Sequence, residues 1–300
     1  MFSVIIPVHN KLPHLERSIY SVLNQSFRNF ELLLIDDAST DGSSEKLEEF
    51  NDPRIRMFKR EKPGPGGYAA RNLGIENAKY DWICFLDADD EWNLDYLMNI
   101  HDVITNNPDV ELISTGWMER TVRDSNVNFA EKNQNKVEKN PLEFSIIDYL
   151  KNHKKYVCTI VVTAHISLIK KASNFPTDQC RRGGDVDTWI RWIYQSKKCL
   201  FIDKILAYYY RDTVNQVTSK PNTFFCAYNS LIKIYELEVN DEKLKQAIRR
   251  FINKFLYGML FRQVESGMPI DYGEIKKMFF NRYSVLRVLK LHLLRLRRII

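Results

Sequence analysis

Over the first hundred residues, short apolar runs alternate with segments whose apolar residues recur at helical spacing, the pattern of βαβ units and a largely parallel sheet. Phe2–Pro7, Glu31–Asp36, Ile55–Phe58 and Trp82–Leu86 read as strands. Leu15–Leu23, Ser44–Phe50, Tyr68–Asn77 and Tyr96–Ile104 read as helices, the third entered through a glycine-rich turn. Ligands on open α/β sheets sit beyond the carboxyl ends of the strands. Three polar segments fall there: Pro7-Val8-His9-Asn10, Asp36-Asp37-Ala38-Ser39-Thr40-Asp41-Gly42 and Asp87-Ala88-Asp89-Asp90.

From about Glu119 to Asn140 the chain is polar, rich in Asn and Lys and without apolar period, which predicts a long surface loop or irregular hairpin. Apolar runs return at Tyr156–Ile169 and Leu200–Tyr210. A helical period holds from Asn222 to Phe261, and Gly267-Met268-Pro269 then breaks it. The expected organisation is an α/β unit over residues 1–220 and a mainly helical extension over 221–300 with a basic amphipathic end.

Composition narrows the class. With 44% hydrophobic and 27% charged residues, the 300-residue chain has the makings of a packed core and not of a disordered or fibrous protein. The five cysteines are scattered and form no C-x-x-C pair, which argues against a zinc site and a secreted disulfide framework and suggests a reducing compartment. Met1 and Phe2 run into Ser-Val-Ile-Ile-Pro without a leader-like pattern, and the longest uncharged run, Tyr156–Ile169, is shorter than the ~20 apolar residues that cross a bilayer. A cytoplasmic protein without a transmembrane helix is expected. The net charge of +6 is unevenly spread, since no acidic residue follows Glu274 while Lys276, Lys277, Arg282, Arg287, Lys290, Arg295, Arg297 and Arg298 do.

The candidate chemistry lies at the strand ends. In an extended segment residues i and i+2 point the same way, so Asp87 and Asp89 would face one point and need a cation between them. Oxygen-rich sites of that kind favour hard divalent ions that also bind phosphates. The alternative is a helix cap, with Asp90 and Glu91 complementing the following macrodipole. Asp36-Asp37 with Ser39 and Asp41 could accept from a nucleobase or ribose, or cap the next helix. Gly64-Pro65-Gly66-Gly67 before Tyr68-Ala69-Ala70-Arg71 admits backbone N–H groups close to an anion, with Arg71 one turn in, but lacks a G-K-[ST] sequence; otherwise it is a flexible turn. Asp185, after Gly183-Gly184, is a general base presented at a helix start or simply its cap.

Together these segments resemble family 2 glycosyltransferases of the GT-A fold over roughly Phe2 to Ser219. The resemblance rests on Ser3-Val4-Ile5-Ile6-Pro7-Val8-His9-Asn10, Ser21-Val22-Leu23-Asn24-Gln25-Ser26, Asp36 to Gly42, Ala70-Arg71-Asn72-Leu73-Gly74, Phe85 to Asp90 and Gly184-Asp185. It implies a Rossmann-like nucleotide-binding half and an inverting, metal-dependent transferase using a nucleotide-sugar donor, most readily a UDP-sugar. Pro7 and Asp37 look like uracil contacts, with Asn10 supporting their loop and Arg71 on the nucleotide side. Asp87 and Asp89 look like the DXD pair, the first toward the ribose and the second toward Mg2+ or Mn2+ on the diphosphate. Asp185 looks like the base that deprotonates the acceptor, a glycan or lipid-linked saccharide of cell-surface polysaccharide synthesis. The family usually carries Glu-Asp where this chain has Gly184-Asp185.

Tyr283 to Ile300 has the character of a basic amphipathic helix, with Val285, Leu286, Leu289, Leu293, Leu296 and Ile300 on one side. Such a helix can lie on an anionic membrane face, gaining roughly 1 kcal/mol per basic residue, or pack on the chain's own core. Leu289 to Arg297 also nearly alternates, as a strand would. Two other functions fit the nucleotide-binding half, a nucleotidyltransferase and a non-catalytic nucleotide-sugar scaffold. Nucleic acid is not an expected partner, because the basic residues lack interleaved aromatics or a recognised module.

Overall fold

A computed structural model describes residues 1–121, 141–177, 180–215 and 224–299. The N-terminal half runs β1 (Phe2–Val8), α1 (Leu15–Leu23), β2 (Phe30–Asp36), α2 (Ser43–Glu48), β3 (Ile55–Lys59), α3 (Tyr68–Asn77), β4 (Trp82–Phe85), β5 (Glu91–Trp92) and α4 (Tyr96–Asn106). There follow β6 (Leu112–Arg120), β7 (Leu142–Glu143), α5 (Ile146–Lys151), α6 (His153–Tyr156), β8 (Val162–His165), α7 (Ile166–Ala172), α8 (Gly184–Gln195) and β9 (Cys199–Tyr210). The C-terminal part is helical: α9 (Tyr228–Leu237), α10 (Glu242–Glu265), α11 (Tyr272–Lys276) and α12 (Arg282–Ile299).

Among the described residues the strands form one sheet in the order β3-β2-β1-β4-β8-β6-β9-β5, with β7 on β9. The four expected strands form its parallel half, β3-β2-β1-β4. Beyond β4 the sheet is mixed: β8 is antiparallel to β4 and β6, β9 is parallel to β6, and β5 is antiparallel to β9. The expected long loop falls mostly at 122–140, outside the described residues, while Glu119 and Arg120 complete β6.

Both sheet faces are covered, which is why β1 and β2 read as nearly continuous apolar runs. Val4, Ile6, Val8, Leu32 and Leu34 meet Leu15, Ile19, Leu97 and Ile100 on one face. On the other, Ile5, Leu33 and Ile35 join a cluster that includes Ile75, Trp189, Trp192, Phe251 and Leu256. The C-terminal helices therefore complete the core on the face that carries α8, and α10 packs against α5.

Two expectations at the C-terminal side are corrected or resolved. Cys180 and Cys226 form a disulfide with Cα atoms 5.7 Å apart, tying the segment before α8 to the segment before α9. The 46-residue separation leaves no local signature, so the scattered cysteines gave no sign of pairing. The Leu289–Arg297 stretch is helical, within α12. Its inner side buries Leu291 against the cluster of Leu260, Val264, Ile270 and Ile275, and Ser284, also buried, bonds to Asn281 and the Phe279 carbonyl. Leu286, Leu289 and Leu293, spaced to share one helix face, are exposed, Leu293 to 61%, as is Tyr283 to 76%. Among the described residues no helix is long and apolar enough to cross a membrane.

Candidate active site

The carboxyl ends of β1 and β2 turn into loops that hold each other. Asn10 sits in the left-handed region at φ 54°, a conformation Asn tolerates better than most residues. Its backbone N–H donates to Ser39 Oγ at 3.1 Å, and its Oδ1 accepts from the Thr40 N–H at 2.7 Å. Asn10 thus ties the loop after β1 to the loop after β2. Asp37, only 1% exposed, donates its backbone N–H to the Val8 carbonyl at 2.7 Å. Its carboxylate is paired with Arg60 and accepts from the Gly64 N–H at 3.0 Å. Asp41 accepts from the Ser43 N–H at the start of α2 and from the Leu12 N–H, although the cap position itself is Gly42, at φ 91°.

Gly66 and Gly67 both take left-handed φ values, 65° and 69°, which bend the chain into α3 without a Cβ penalty. Pro7 lies beside this turn: a Cβ on Gly67 would stand 3.6 Å from Pro7 Cβ and 3.3 Å from Arg71 Nη1. Arg71 is buried; Nη1 donates to the Gly66 carbonyl at 2.8 Å and Nη2 to Asp87 Oδ1 at 2.5 Å, while the buried Nε has no partner among the described residues. Its guanidinium stands 5.6 Å from the Phe175 ring centre.

The Asp87-Ala88-Asp89-Asp90 segment corrects one step of the sequence reasoning. It lies past the end of β4 as a turn, closed by the Asp90 N–H on the Asp87 carbonyl at 3.1 Å, so alternation along an extended strand does not govern these side chains. Instead two separate cations meet them. Asp87 pairs with Arg71, and Asp89 Oδ2 accepts from Lys11 Nζ at 2.6 Å and from Thr213 Oγ1 at 2.5 Å. Asp90 is buried and accepts from the Tyr210 N–H, and its other oxygen has no partner among the described residues. Burial, reinforced by the charges of Asp89 and Asp87, holds its carboxyl well above the ordinary range. Among the described residues no three His, Cys, Asp or Glu side chains form a complete metal cage. A hard divalent ion does not need one: such ions are commonly held by one or two carboxylates together with substrate phosphates, a mode that the single carboxylate of Asp89 fits.

Asp185 occupies the first turn of α8. The residue at the cap position is Gly183, at φ 82°, which has no side chain to cap with, and the Asp185 carboxylate accepts from the backbone N–H groups of Val186 and of Asp185 itself. Desolvation raises its pKa above the ordinary carboxylate value; the backbone hydrogen bond from Val186 and then the Arg71 charge oppose the shift, and the Asp87 charge adds to it. Those couplings place Asp185 within electrostatic reach of the Arg71–Asp87 pair. Asp187, its neighbour in sequence, is structural, accepting from Arg191 Nε at 2.9 Å and Ser230 Oγ at 2.5 Å.

The Gly184 departure has a steric cause. The Gly184 N–H donates to Tyr68 Oη at 2.9 Å, and a Cβ on Gly184 would fall 2.9 Å from both the Tyr68 ring and Pro176 Cγ. Tyr68, buried and stacked on Phe175, fills the space that a side chain at 184 would need. Sequence reasoning missed Tyr68, Lys11, Arg60 and Thr213. Lys11 directly follows Asn10 and Arg60 directly follows β3, but neither spacing signals an ion pair across the site, because the partners come from other loops.

Comparisons with known proteins agree with this architecture. The model of "Glycosyl transferase family 2" matches residues 3–174. An uncharacterised glycosyltransferase of Haemophilus influenzae is 41% identical over 114 residues, 35% of this chain and 45% of that protein. The minor teichoic acid biosynthesis protein GgaA of Bacillus subtilis is 40% identical over 120 residues, 37% of this chain and 26% of that protein. The aligned stretches thus span less than half the length of either relative. Among solved structures, S. aureus TarS 1-349 in complex with UDP-GlcNAc superposes with a TM-score of 0.70 at 18% identity, covering 98% of this chain and 87% of that one. The mannosyltransferase PcManGT from Pyrobaculum calidifontis, in complex with GDP-Man and Mn2+, gives 0.52 at 16% identity over 85% of this chain and 64% of that one. These likenesses show a shared GT-A-type fold. With more than half of its length matched by the family model, this chain belongs to glycosyl transferase family 2.

Proposed function

We propose that the protein is an inverting hexosyltransferase that moves a sugar from a UDP-sugar to a hydroxyl of a glycan or lipid-linked saccharide in cell-surface polysaccharide synthesis. The observation that carries this reading is the Arg71–Asp87 ion pair on the α3 side of the site together with the hydrogen bond from the Gly184 N–H to Tyr68, which ties the start of α8, where Asp185 lies desolvated, to the start of α3. Pro7 and Asp37 would form the wall for the base, with a uracil N–H joining the donors already on Asp37. Asp87 would face the ribose and Asp89 would hold the metal. Bound Mg2+ or Mn2+ would supply positive charge to the diphosphate leaving group. Asp185 would take the acceptor hydroxyl proton as the oxygen bonds to the anomeric carbon. The bond from that carbon to the phosphate oxygen breaks, and its electron pair leaves with the nucleoside diphosphate. TarS supports the uridine choice by its complex with UDP-GlcNAc, PcManGT supports the divalent ion by its Mn2+, and GgaA supports a cell-surface product by its name.

A second reading concerns location. The exposed Leu286, Leu289 and Leu293 beside exposed Arg287 and Lys290 suit an anionic membrane face, with the inner side of α12 packed on the protein. This would place the enzyme peripherally at the cytoplasmic side, near a lipid-linked acceptor. The main test is incubation with a panel of nucleotide sugars and Mg2+ or Mn2+. Release of free nucleoside diphosphate, suppressed by EDTA, is expected. Pyrophosphate as the product would instead identify a nucleotidyltransferase, and binding without turnover of donor and acceptor would identify a scaffold.

A further inference from the structure

The Asp89 carboxylate already carries a cation belonging to the protein. Lys11 Nζ donates to Asp89 Oδ2 at 2.6 Å and to the Val214 carbonyl at 2.7 Å, and both side chains of the pair are only 13% exposed. Thr213 Oγ1 donates to the same Oδ2 at 2.5 Å. The segment after β9 is fastened further where the Val214 N–H donates to His14 Nε2 at 3.2 Å and Asn215 Nδ2 to the Asn10 carbonyl at 3.2 Å. Oδ2 therefore accepts two bonds, with an ammonium group beside it. A divalent ion approaching Asp89 would meet a like charge at close range, in a half-buried setting where screening is weaker than in bulk water.

We propose that Lys11 is an internal counter-ion that latches Asp89 and residues 213–215 together in the donor-free enzyme, so that the divalent ion is taken up jointly with the nucleotide diphosphate and not before it. The inference rests on the reading of Asp89 as the metal-holding carboxylate. The donor's two phosphates bring the negative charge that lets ammonium and metal share the site, and they offer Lys11 a new partner when it leaves Oδ2. Metal and nucleotide then bind with positive coupling, and by linkage each strengthens the other by the same factor. Without nucleotide, the latched population lowers apparent metal affinity in proportion to the fraction unlatched.

The test is Mn2+ binding, followed by the free-ion electron paramagnetic resonance signal, to wild type and to Lys11→Gln with and without UDP. Lys11→Met serves in place of Lys11→Gln if the latter does not fold. Wild type should bind Mn2+ weakly alone and tightly with UDP. The lysine variant should bind Mn2+ alone about 10-fold more tightly than wild type, the scale at which a latch closed nine times in ten acts, and UDP should enhance its binding correspondingly less. Lys11→Arg, which keeps the charge, should behave as wild type. If the neutral variants bind Mn2+ alone no better than wild type, while Asp89→Ala removes the UDP-dependent site, the latch is wrong and the metal assignment stands. If UDP elicits no Mn2+ binding in any protein, the metal assignment fails and the latch with it.

Discussion

The site contains two kinds of carboxylate, and on the proposed function the difference between them separates donor binding from chemistry. Asp37, Asp87 and Asp89 each meet a protein cation, Arg60, Arg71 and Lys11 respectively. Asp185 has no ion pair among the described residues, and burial raises its pKa. Paired carboxylates are fixed in place and charge-compensated, which suits groups that orient a nucleotide. A desolvated carboxylate with a raised pKa binds a proton more readily, which suits a base.

The largest expected effect on the donor side is that of Asp89→Ala, which should lower divalent-dependent donor turnover by ~10²-fold or more, the scale of losing an electrostatic stabiliser of a leaving group. Circular dichroism should show the protein still folded. Normal turnover by this variant, or indifference of wild type to EDTA, would end the metal assignment. A second test returns the family's usual acid to the acceptor side. Gly184→Glu should destabilise the fold by roughly 1–3 kcal/mol, because its Cβ overlaps Tyr68 and Pro176 in a packed region. Chemical denaturation measures this, and an unchanged midpoint would mean that Tyr68 swings aside at little cost.

The membrane reading is sharpened by Leu289→Asp with Leu293→Asp, which leaves the buried Leu291 contact in place. Co-sedimentation with anionic vesicles should fall, while hydrolysis of soluble donor should stay within about twofold, as expected for surface changes far from the site. Equal recovery of variant and wild type with vesicles would remove α12 from any membrane role. The smallest effect is on pH dependence. Because its folded pKa is raised, Asp185 gains its proton more readily in the native state, so its contribution to stability is full below the unfolded value and is lost as pH rises through the folded one. The same shift should move the acid limb of the transfer rate upward from the ordinary carboxylate range of ~4. A pH profile of single-turnover transfer measures it, and a limb at the ordinary value would mean that the base is well solvated.

Much of the parallel half was legible because its signals are local. The apolar runs of β1 to β4 and the helical period of α3 depend on residues close in sequence, and α3 spans Tyr68–Asn77 as expected. The mixed half was not legible, since pairings such as β4 with β8 join strands whose facing residues, Trp82 and His165, lie far apart in the chain. Asp185 drew attention by its place after two glycines, whereas the cations that answer the other acids carried no such local sign. Lys11 reaches Asp89 across 78 positions, and Tyr68 reaches Gly184 across 116. A side chain's role as counter-ion is fixed by three-dimensional arrival, which no spacing rule encodes.

The division between donor-holding and proton-accepting carboxylates is tested most directly by measuring donor affinity and single-turnover transfer on one variant, Asp185→Asn. UDP affinity, by calorimetry with Mn2+ present, should stay within about twofold of wild type, while transfer to acceptor should fall by ~10²-fold or more, the usual loss for a positioned general base. A loss of UDP affinity equal to the loss of rate would place Asp185 in the donor site, and an unchanged transfer rate would remove it from the chemistry.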